Sequence, residues 1–278
     1  MKSRTILEIL DQVTGFLKSK KIKNSRLNAE QIISHVLKIK ILDLYLIVDN
    51  VVSVEDKEQI ENFMLRRATY EPLQYILGET NFYGNKMLVN RTVLIPRPET
   101  EYMVEKIIKE NPGANSILDI GTGSGAIAIA LAKEMNAAII DAIDISDAAL
   151  EIAKKNSKIN KVNINFFQSD VFSNVYCKYD IIVSNPPYIP EDEFKKLPIE
   201  IKKFEPRMAL VANKTGLIFY KKILGKASNF LNEKGKIYFE IGYNNGEKIK
   251  KLAEKSGFTN IEIKKDLNDF DRIIKIGK

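Results

Sequence analysis

Strand-length apolar runs and helix-length amphipathic runs take turns over residues 116–276, a pattern that few architectures accept. Strands are expected at 116–120, 138–145, 163–168, 180–184, 236–241, 261–264 and 272–276. Helices are expected at 99–110, 126–135, 147–159, 217–231 and 246–255. A strand followed by a helical crossover returns parallel to its predecessor, so the alternation predicts a doubly wound sheet with helices on both faces. The last two strands are separated only by residues 265–271, too few for such a crossover, and are expected to pair antiparallel at one edge. Earlier in the chain the texture differs. Ile6, Leu7, Ile9, Leu10, Val13, Phe16 and Leu17 fall on a stripe of helical period, as do Ile32, Ile33, Val36 and Leu37. Further helices are expected around 42–48 and 54–67, the second started by Ser53 with Glu55 and Asp56 in its first turn. Extended segments at 86–89 and 92–95 follow. The organisation read from this is a helical domain over 1–75, a linker with a short hairpin over 76–98, and an α/β domain over 99–278.

The first expected strand of that domain runs into Gly121-Thr122-Gly123-Ser124-Gly125 and then into a helix. Glycines at a chain reversal allow unusual φ and let a ligand approach the backbone. In an open α/β sheet this turn lies at the carboxyl edge of the strands, where ligands bind. The spacing departs from the dinucleotide fingerprint, and no Gly-x4-Gly-Lys-Ser/Thr cradle for a nucleoside triphosphate is present. Asp144 ends the next strand, nineteen residues after Gly125, where an acid accepts both ribose hydroxyls of an adenosine. Asp141, three residues earlier, is expected to point to the opposite face, and Ser146 or Asp147 to cap the helix that follows. At a third strand end, Asp170 is placed to accept from an adenine amino group while Val171 packs on its ring; a turn cap is the competing role for Asp170.

Asn185-Pro186-Pro187-Tyr188 is the most informative stretch. An apolar strand stops at two prolines, which donate nothing to a sheet ladder. Asn185 is pushed to an extended conformation by the proline after it, which aims its side chain over the sheet edge. Its amide oxygen and the Pro186 carbonyl make two acceptors for the two hydrogens of a planar –NH2 group. Holding both turns the nitrogen lone pair toward an electrophile, with Tyr188 as an aromatic wall. An amide nitrogen is a weak nucleophile, so placing it in line with a sulfonium methyl is the main task. A loop that merely ends a strand is the bland alternative for this tetrad.

Composition removes other chemistries. A single cysteine, Cys177, and a single histidine, His35, exclude a disulfide framework, a Cys/His zinc site, and Cys–His or Ser–His catalysis. His35 flanks a helical stripe and has no catalytic company. No run approaches eighteen apolar residues, so no membrane span is expected. Glu8 and Asp11 interrupt the first apolar pattern, so no signal peptide is expected and the chain reads as cytoplasmic. The net charge of +7 comes from lysines scattered along the chain. With no basic-aromatic segment, no stable nucleic-acid binding is expected.

Several runs together carry a family resemblance: Gln74-Tyr75-Ile76-Leu77-Gly78, Phe82-Tyr83-Gly84, Leu94-Ile95-Pro96-Arg97-Pro98-Glu99-Thr100-Glu101, the glycine loop, the Asn-Pro-Pro-Tyr tetrad, Phe204-Glu205-Pro206-Arg207 and Glu240-Ile241-Gly242. In these the chain resembles the N5-glutamine methyltransferases that modify peptide chain release factors, the family once called HemK and now PrmC. The tetrad alone also fits adenine-N6 methyltransferases of DNA. The Ile-Pro-Arg-Pro-Glu-Thr-Glu run is similar to the release-factor branch rather than the branch acting on a ribosomal-protein glutamine.

The resemblance implies a class I methyltransferase fold: a Rossmann-like, seven-stranded, mostly parallel sheet with an antiparallel edge hairpin, plus a small N-terminal helical domain that helps dock the release factor. It implies S-adenosyl-L-methionine as cofactor, S-adenosyl-L-homocysteine as product, and the glutamine of the Gly-Gly-Gln motif of class 1 release factors as target, in a monomeric enzyme without a metal. Gly121, Thr122, Gly123, Ser124, Gly125, Asp144, Asp170, Val171 and Asn185 are the expected cofactor contacts. Asn185, Pro186, Pro187 and Tyr188 are the expected glutamine site, with Asn185, Pro186 and Tyr188 catalytic. Arg97 and Glu99 match the family run but are also explained by a helix start and an ion pair. The stretch 211–216 departs from the acidic, glycine-rich turn usual in the family.

Overall fold

The computed structural model describes residues 4–136, 138–266 and 268–278. Residues 1–3 of the expected helical domain and residue 267 of the expected edge turn lie outside it. The described residues form two compact units, one reaching to Gly78 and including Pro198–Phe204, the other made of Glu79–Leu197 and Glu205–Lys278.

The first unit holds α1 (Ile6–Ser19), α2 (Ser25–Leu37), α3 (Ile41–Leu44), α4 (Val54–Ala68) and α5 (Leu73–Leu77). Thr5 starts α1 with a reciprocal cap: its side chain accepts from the Glu8 N–H while the Glu8 carboxylate accepts from the Thr5 N–H at 2.9 Å. Ser53 caps α4 by accepting from the Asp56 N–H at 3.0 Å. Leu10, Leu17, Ile32, Ile33 and Ile60 are fully enclosed in its core. The helix expected over 42–48 is a single turn instead. Leu42 and Leu46 point to solvent, so no buried stripe sustains it, and tight turn bonds such as Leu46 N–H to the Asp43 carbonyl (3.0 Å) replace the ladder. Arg67 explains why the distant segment 198–204 belongs here. Nearly enclosed, it donates to Asn28 Oδ1 (2.7 Å), the Glu71 carbonyl (3.0 Å) and Glu200 Oε1 (2.7 Å).

The second unit opens with a hairpin of β1 (Glu79–Phe82) and β2 (Asn85–Leu88), then α6 (Pro98–Glu110). Next come β3 (Ser116–Ile120), α7 (Ala126–Glu134), β4 (Ile139–Asp144), α8 (Asp147–Asn160), β5 (Asn165–Gln168) and β6 (Tyr179–Ser184). Beyond β6 lie two short helices, α9 (Glu191–Phe194) and α10 (Ile199–Phe204), the latter in the segment grouped with the first unit. The chain ends with α11 (Ile218–Phe230), β7 (Leu231–Glu240), α12 (Gly246–Lys255), β8 (Asn260–Lys265) and β9 (Asp271–Gly277).

The seven-stranded sheet has the order β5-β4-β3-β6-β7-β9-β8. Pairs among the first five strands are parallel, and β9 runs antiparallel to both β7 and β8. Strand alternation divides the core. Ile117, Ile181 and Tyr238 face a layer containing Met103 and Leu131, while Leu118, Ile182 and Ile237 face one containing Tyr220 and Ile249. Strand order reverses between β3 and β6, which opens a crevice at their carboxyl ends. The glycine loop leaves β3 there and the Asn-Pro-Pro-Tyr tetrad leaves β6.

Residues 92–95, expected to be extended, form no strand; β2 pairs with 79–82 instead. The outer edge of β2 is capped by amide side chains of α8. Asn156 accepts from the Leu88 N–H (2.7 Å) and donates to the Leu88 carbonyl (3.0 Å) and the Ser124 carbonyl (2.9 Å), which ties the hairpin to the glycine loop.

Away from the crevice, the Glu110 carboxylate gathers Lys264, Lys275 at 3.1 Å and the Tyr238 hydroxyl at 3.0 Å. Burial pushes its pKa up, but these three donors outweigh burial and bring it down to about 2. A carboxylate depressed by folding stabilises above its unfolded pKa and loses that contribution as pH falls through the folded value. Glu110→Gln is therefore expected to lower stability by about 1–2 kcal/mol at neutral pH. Denaturant titrations of both proteins should converge as the pH is lowered from about 4.5 toward 2. A gap independent of pH would contradict the assignment.

Candidate active site

The glycine loop is held by its neighbours. Gly121 and Thr122 both donate N–H to the Ile143 carbonyl, at 2.8 and 2.9 Å, which folds the loop over the end of β4. Gly125 has φ +82°, and a Cβ there would lie 3.1 Å from the Ala153 Cβ, so only glycine lets α7 start this close to α8. Beneath the loop, Asp119 is fully enclosed and accepts from the Thr122 hydroxyl at 2.7 Å. Burial, helped by Asp144 nearby, raises its pKa to about 7 against that bond.

Asp144 stands at the end of β4 with one oxygen on the Gly123 N–H (2.9 Å) and the other on the Ser146 N–H (2.9 Å). Burial lifts its pKa, and the backbone donors oppose the lift. Each oxygen keeps a lone pair beyond its backbone bond, and the residue lines the crevice. Asp141 is engaged elsewhere, accepting from the Tyr179 hydroxyl (2.5 Å) and from Asn165 Nδ2 (3.1 Å). Ser146 caps α8 by accepting from the Ala149 N–H.

Asp170 and Val171 also reach the crevice. Val171 has φ +55°, a conformation a β-branched residue adopts only under constraint. The constraint is visible: Ser169 donates to the Val171 carbonyl at 2.9 Å and accepts from the Asn174 N–H at 3.1 Å. Asp170 is half exposed and lies 3.6 Å from Lys222 Nζ.

At the end of β6, Ser184 donates to the Ile120 carbonyl (2.7 Å), binding the two strand ends that flank the reversal. Asn185 follows with its Nδ2 3.3 Å from Thr100 Oγ1. Thr100 donates in turn to Glu240 Oε2 at 2.5 Å, and the Tyr188 hydroxyl lies 3.5 Å from Glu240 Oε1. The chain after the tetrad is strapped down: Ile189 and Val211 bridge, and a Cβ on Gly216 would sit 2.5 Å from the Tyr188 carbonyl oxygen.

One cavity collects Gly121, Thr122, Gly123, Ser124, Asp144, Asp170, Val171, Asn185, Pro186 and Pro187 from the expected set. Gly125 and Tyr188 are not among its lining residues. Gly125 is taken up by helix packing, as above. Two prolines turn the chain so that the Tyr188 ring packs against Gly242, 3.3 Å from where a Cβ would stand. Burial pushes its phenol pKa upward. The aromatic rings among the cavity's lining residues are Phe82 and Phe219, with Pro96, Arg97, Thr100 and Met208 as further lining residues. Arg97 is tied to the Glu205 carboxylate at 2.6 and 2.7 Å. None of these lining residues is recognisable from spacing; the 82–84, 94–101 and 204–207 runs marked their neighbourhood. The cavity thus offers the Asp144 carboxylate, the half-exposed Asp170 and apolar planes.

Comparison with known proteins gives the family. Residues 8–78 match the family model described as PrmC N-terminal domain, and residues 98–199 match Methyltransferase small domain. A release factor glutamine methyltransferase of Fusobacterium nucleatum is 41% identical over 277 residues, covering 96% of this chain and 77% of the relative. The chain belongs to the release factor glutamine methyltransferase family. Another member, from Geobacter sulfurreducens, is 36% identical over 271 residues and covers 97% and 95% of the two chains. Among solved structures, a methyltransferase from Pyrococcus furiosus superposes with a TM-score of 0.54 at 22% identity, covering 70% of this chain and 89% of that one. That likeness speaks to the fold alone. Among the described residues, no helix is long and apolar enough to cross a membrane.

Proposed function

We propose that this chain transfers a methyl group from S-adenosylmethionine to the side-chain nitrogen of a glutamine in a peptide chain release factor, the Gly-Gly-Gln glutamine of class 1 factors. The observation that carries the reading is the cavity at the strand-order reversal, which joins Asp144 to Asn185 and Pro186.

Asp144 would take the ribose hydroxyls, with Val171 and Ile145 beside the adenine and the glycine loop along the amino-acid portion. When bound, S-adenosylmethionine supplies a sulfonium methyl, an electrophile needing only an aligned nucleophile. Asn185 Oδ1 and the Pro186 carbonyl accept the two amide hydrogens of the glutamine and turn its nitrogen lone pair toward that methyl. Transfer would form the N–C bond as the S–C bond breaks, leaving sulfur a neutral thioether with the electron pair and the amide nitrogen to lose one proton to water. Of its acidic and basic groups, the lining offers carboxylates and arginine rather than a neutral histidine or lysine, which fits proton loss after methyl transfer.

The first unit would dock the release factor. Its exposed Leu42 and Leu46, 80% and 82% accessible, fit a protein-facing surface. A release-factor substrate fits a cytoplasmic enzyme, and a site built from one chain fits a monomer.

Methyl transfer assayed in parallel on a release factor, on duplex DNA and on RNA tests the reading. Turnover with the protein and none with either nucleic acid is expected; turnover on a nucleic acid alone would overturn it.

A further inference from the structure

Glu240 ends β7 with only 2% of its surface accessible, and Arg272, the cation that acts on it, is paired with Asp266 at 3.0 Å. A buried carboxylate without a salt bridge is expensive to keep. Burial raises its pKa, opposed by the Thr100 hydroxyl, Arg272 and the Asn185 amide. The other groups facing it are Tyr188, Glu99 and Tyr220, whose hydroxyl donates to the Glu240 main-chain carbonyl at 2.8 Å.

A threonine hydroxyl has one proton to give, and here it points to the Glu240 carboxyl. The single Thr100 proton is therefore committed to Glu240 Oε2, and the Thr100 oxygen is left to accept from its other neighbour. That neighbour is Asn185, whose Nδ2 must face Thr100, at 3.3 Å. The Asn185 oxygen is then the atom left for the cavity. Shape alone does not achieve this, because the two ends of a primary amide are nearly identical in size. A flipped Asn185 would present N–H groups to the N–H groups of the substrate.

We propose that Glu240 and Thr100 are positioning residues that set the orientation of the Asn185 amide, holding its oxygen toward the substrate amide. The proposal rests on the glutamine-methyltransferase reading above. It adds two residues, 140 positions apart in sequence, whose role is the direction of a third.

The test is steady-state methyl transfer to a purified release factor by the full-length protein and by Thr100→Val, Thr100→Ser and Glu240→Gln, with the S-adenosylmethionine dissociation constant measured for each. Thr100→Val keeps the volume and removes the hydroxyl, and is expected to lower kcat about tenfold while cofactor affinity stays within about twofold. Thr100→Ser restores the hydroxyl and is expected to recover most of that loss. Glu240→Gln, which can donate to Thr100 and free its proton for the wrong amide atom, is expected to lose kcat like Thr100→Val. Should Glu240→Gln fail to fold, the Thr100 pair decides. Unchanged kcat in Thr100→Val, equal losses in the Val and Ser variants, or a matching loss of cofactor affinity would each overturn the proposal. No transfer by the unsubstituted protein overturns the underlying reading, whereas transfer by it and by Thr100→Val alike overturns this proposal only.

Discussion

Asn185→Ala is expected to lower turnover on the release factor by about a hundred- to a thousandfold, the cost of removing one preorganised polar group from a reacting centre. Cofactor affinity should barely change. The side chain lies at the end of β6, across the strand-order reversal from Asp144 and the glycine loop, and its amide nitrogen is directed at Thr100. Its deletion leaves Pro186 as a single acceptor for two amide hydrogens, so the substrate nitrogen rotates freely and the in-line geometry is lost. Single-turnover rates with saturating cofactor, beside equilibrium binding of the cofactor alone, separate the two effects. A large loss of cofactor binding with a preserved transfer step would contradict the assigned role.

Asp144→Ala should show the opposite partition. A hydrogen bond from a ribose hydroxyl to a carboxylate is worth about 1.5–3 kcal/mol, so loss of the carboxylate should raise the cofactor dissociation constant by at least roughly ten- to hundredfold. Turnover at saturating cofactor should fall much less. The substitution also releases the Gly123 and Ser146 N–H groups, so Asp144→Asn, which keeps an acceptor for one of them, is the better-behaved companion. An unchanged dissociation constant in both would move the ribose contact to another residue.

The α/β unit was legible because its signals are local and strong. Ile117, Leu118 and Ile120, interrupted only by Asp119, and Ile181-Ile182-Val183 are short apolar stretches between turn signals, as buried parallel strands are, and the short 265–271 link dictates an antiparallel edge. The hairpin was misread because Glu79-Thr80-Asn81 lacks the apolar alternation of a strand, and its pairing partner is fixed by side chains of α8. Residues 92–95, Thr-Val-Leu-Ile, have a strand's β-branched and apolar composition, with Val93 and Ile95 enclosed, yet serve as a loop along the cavity wall.

The chemistry-bearing loops were legible because glycines and prolines announce where the chain must turn. Tyr188 was not, since a motif gives the residue but not the direction of its ring after two prolines. Glu240 was least visible of all. A glutamate closing a strand looks like an ordinary polar end, and nothing local pairs it with Thr100, 140 positions away.

Transfer of labelled methyl from S-adenosylmethionine to a purified release factor, run beside the same factor with Gly-Gly-Ala in place of Gly-Gly-Gln, tests the central claim most directly. Label on the glutamine of the first and none on the second is the predicted result. Equal label on both would place the acceptor elsewhere and contradict the account, while label on neither, with cofactor bound, would contradict the substrate.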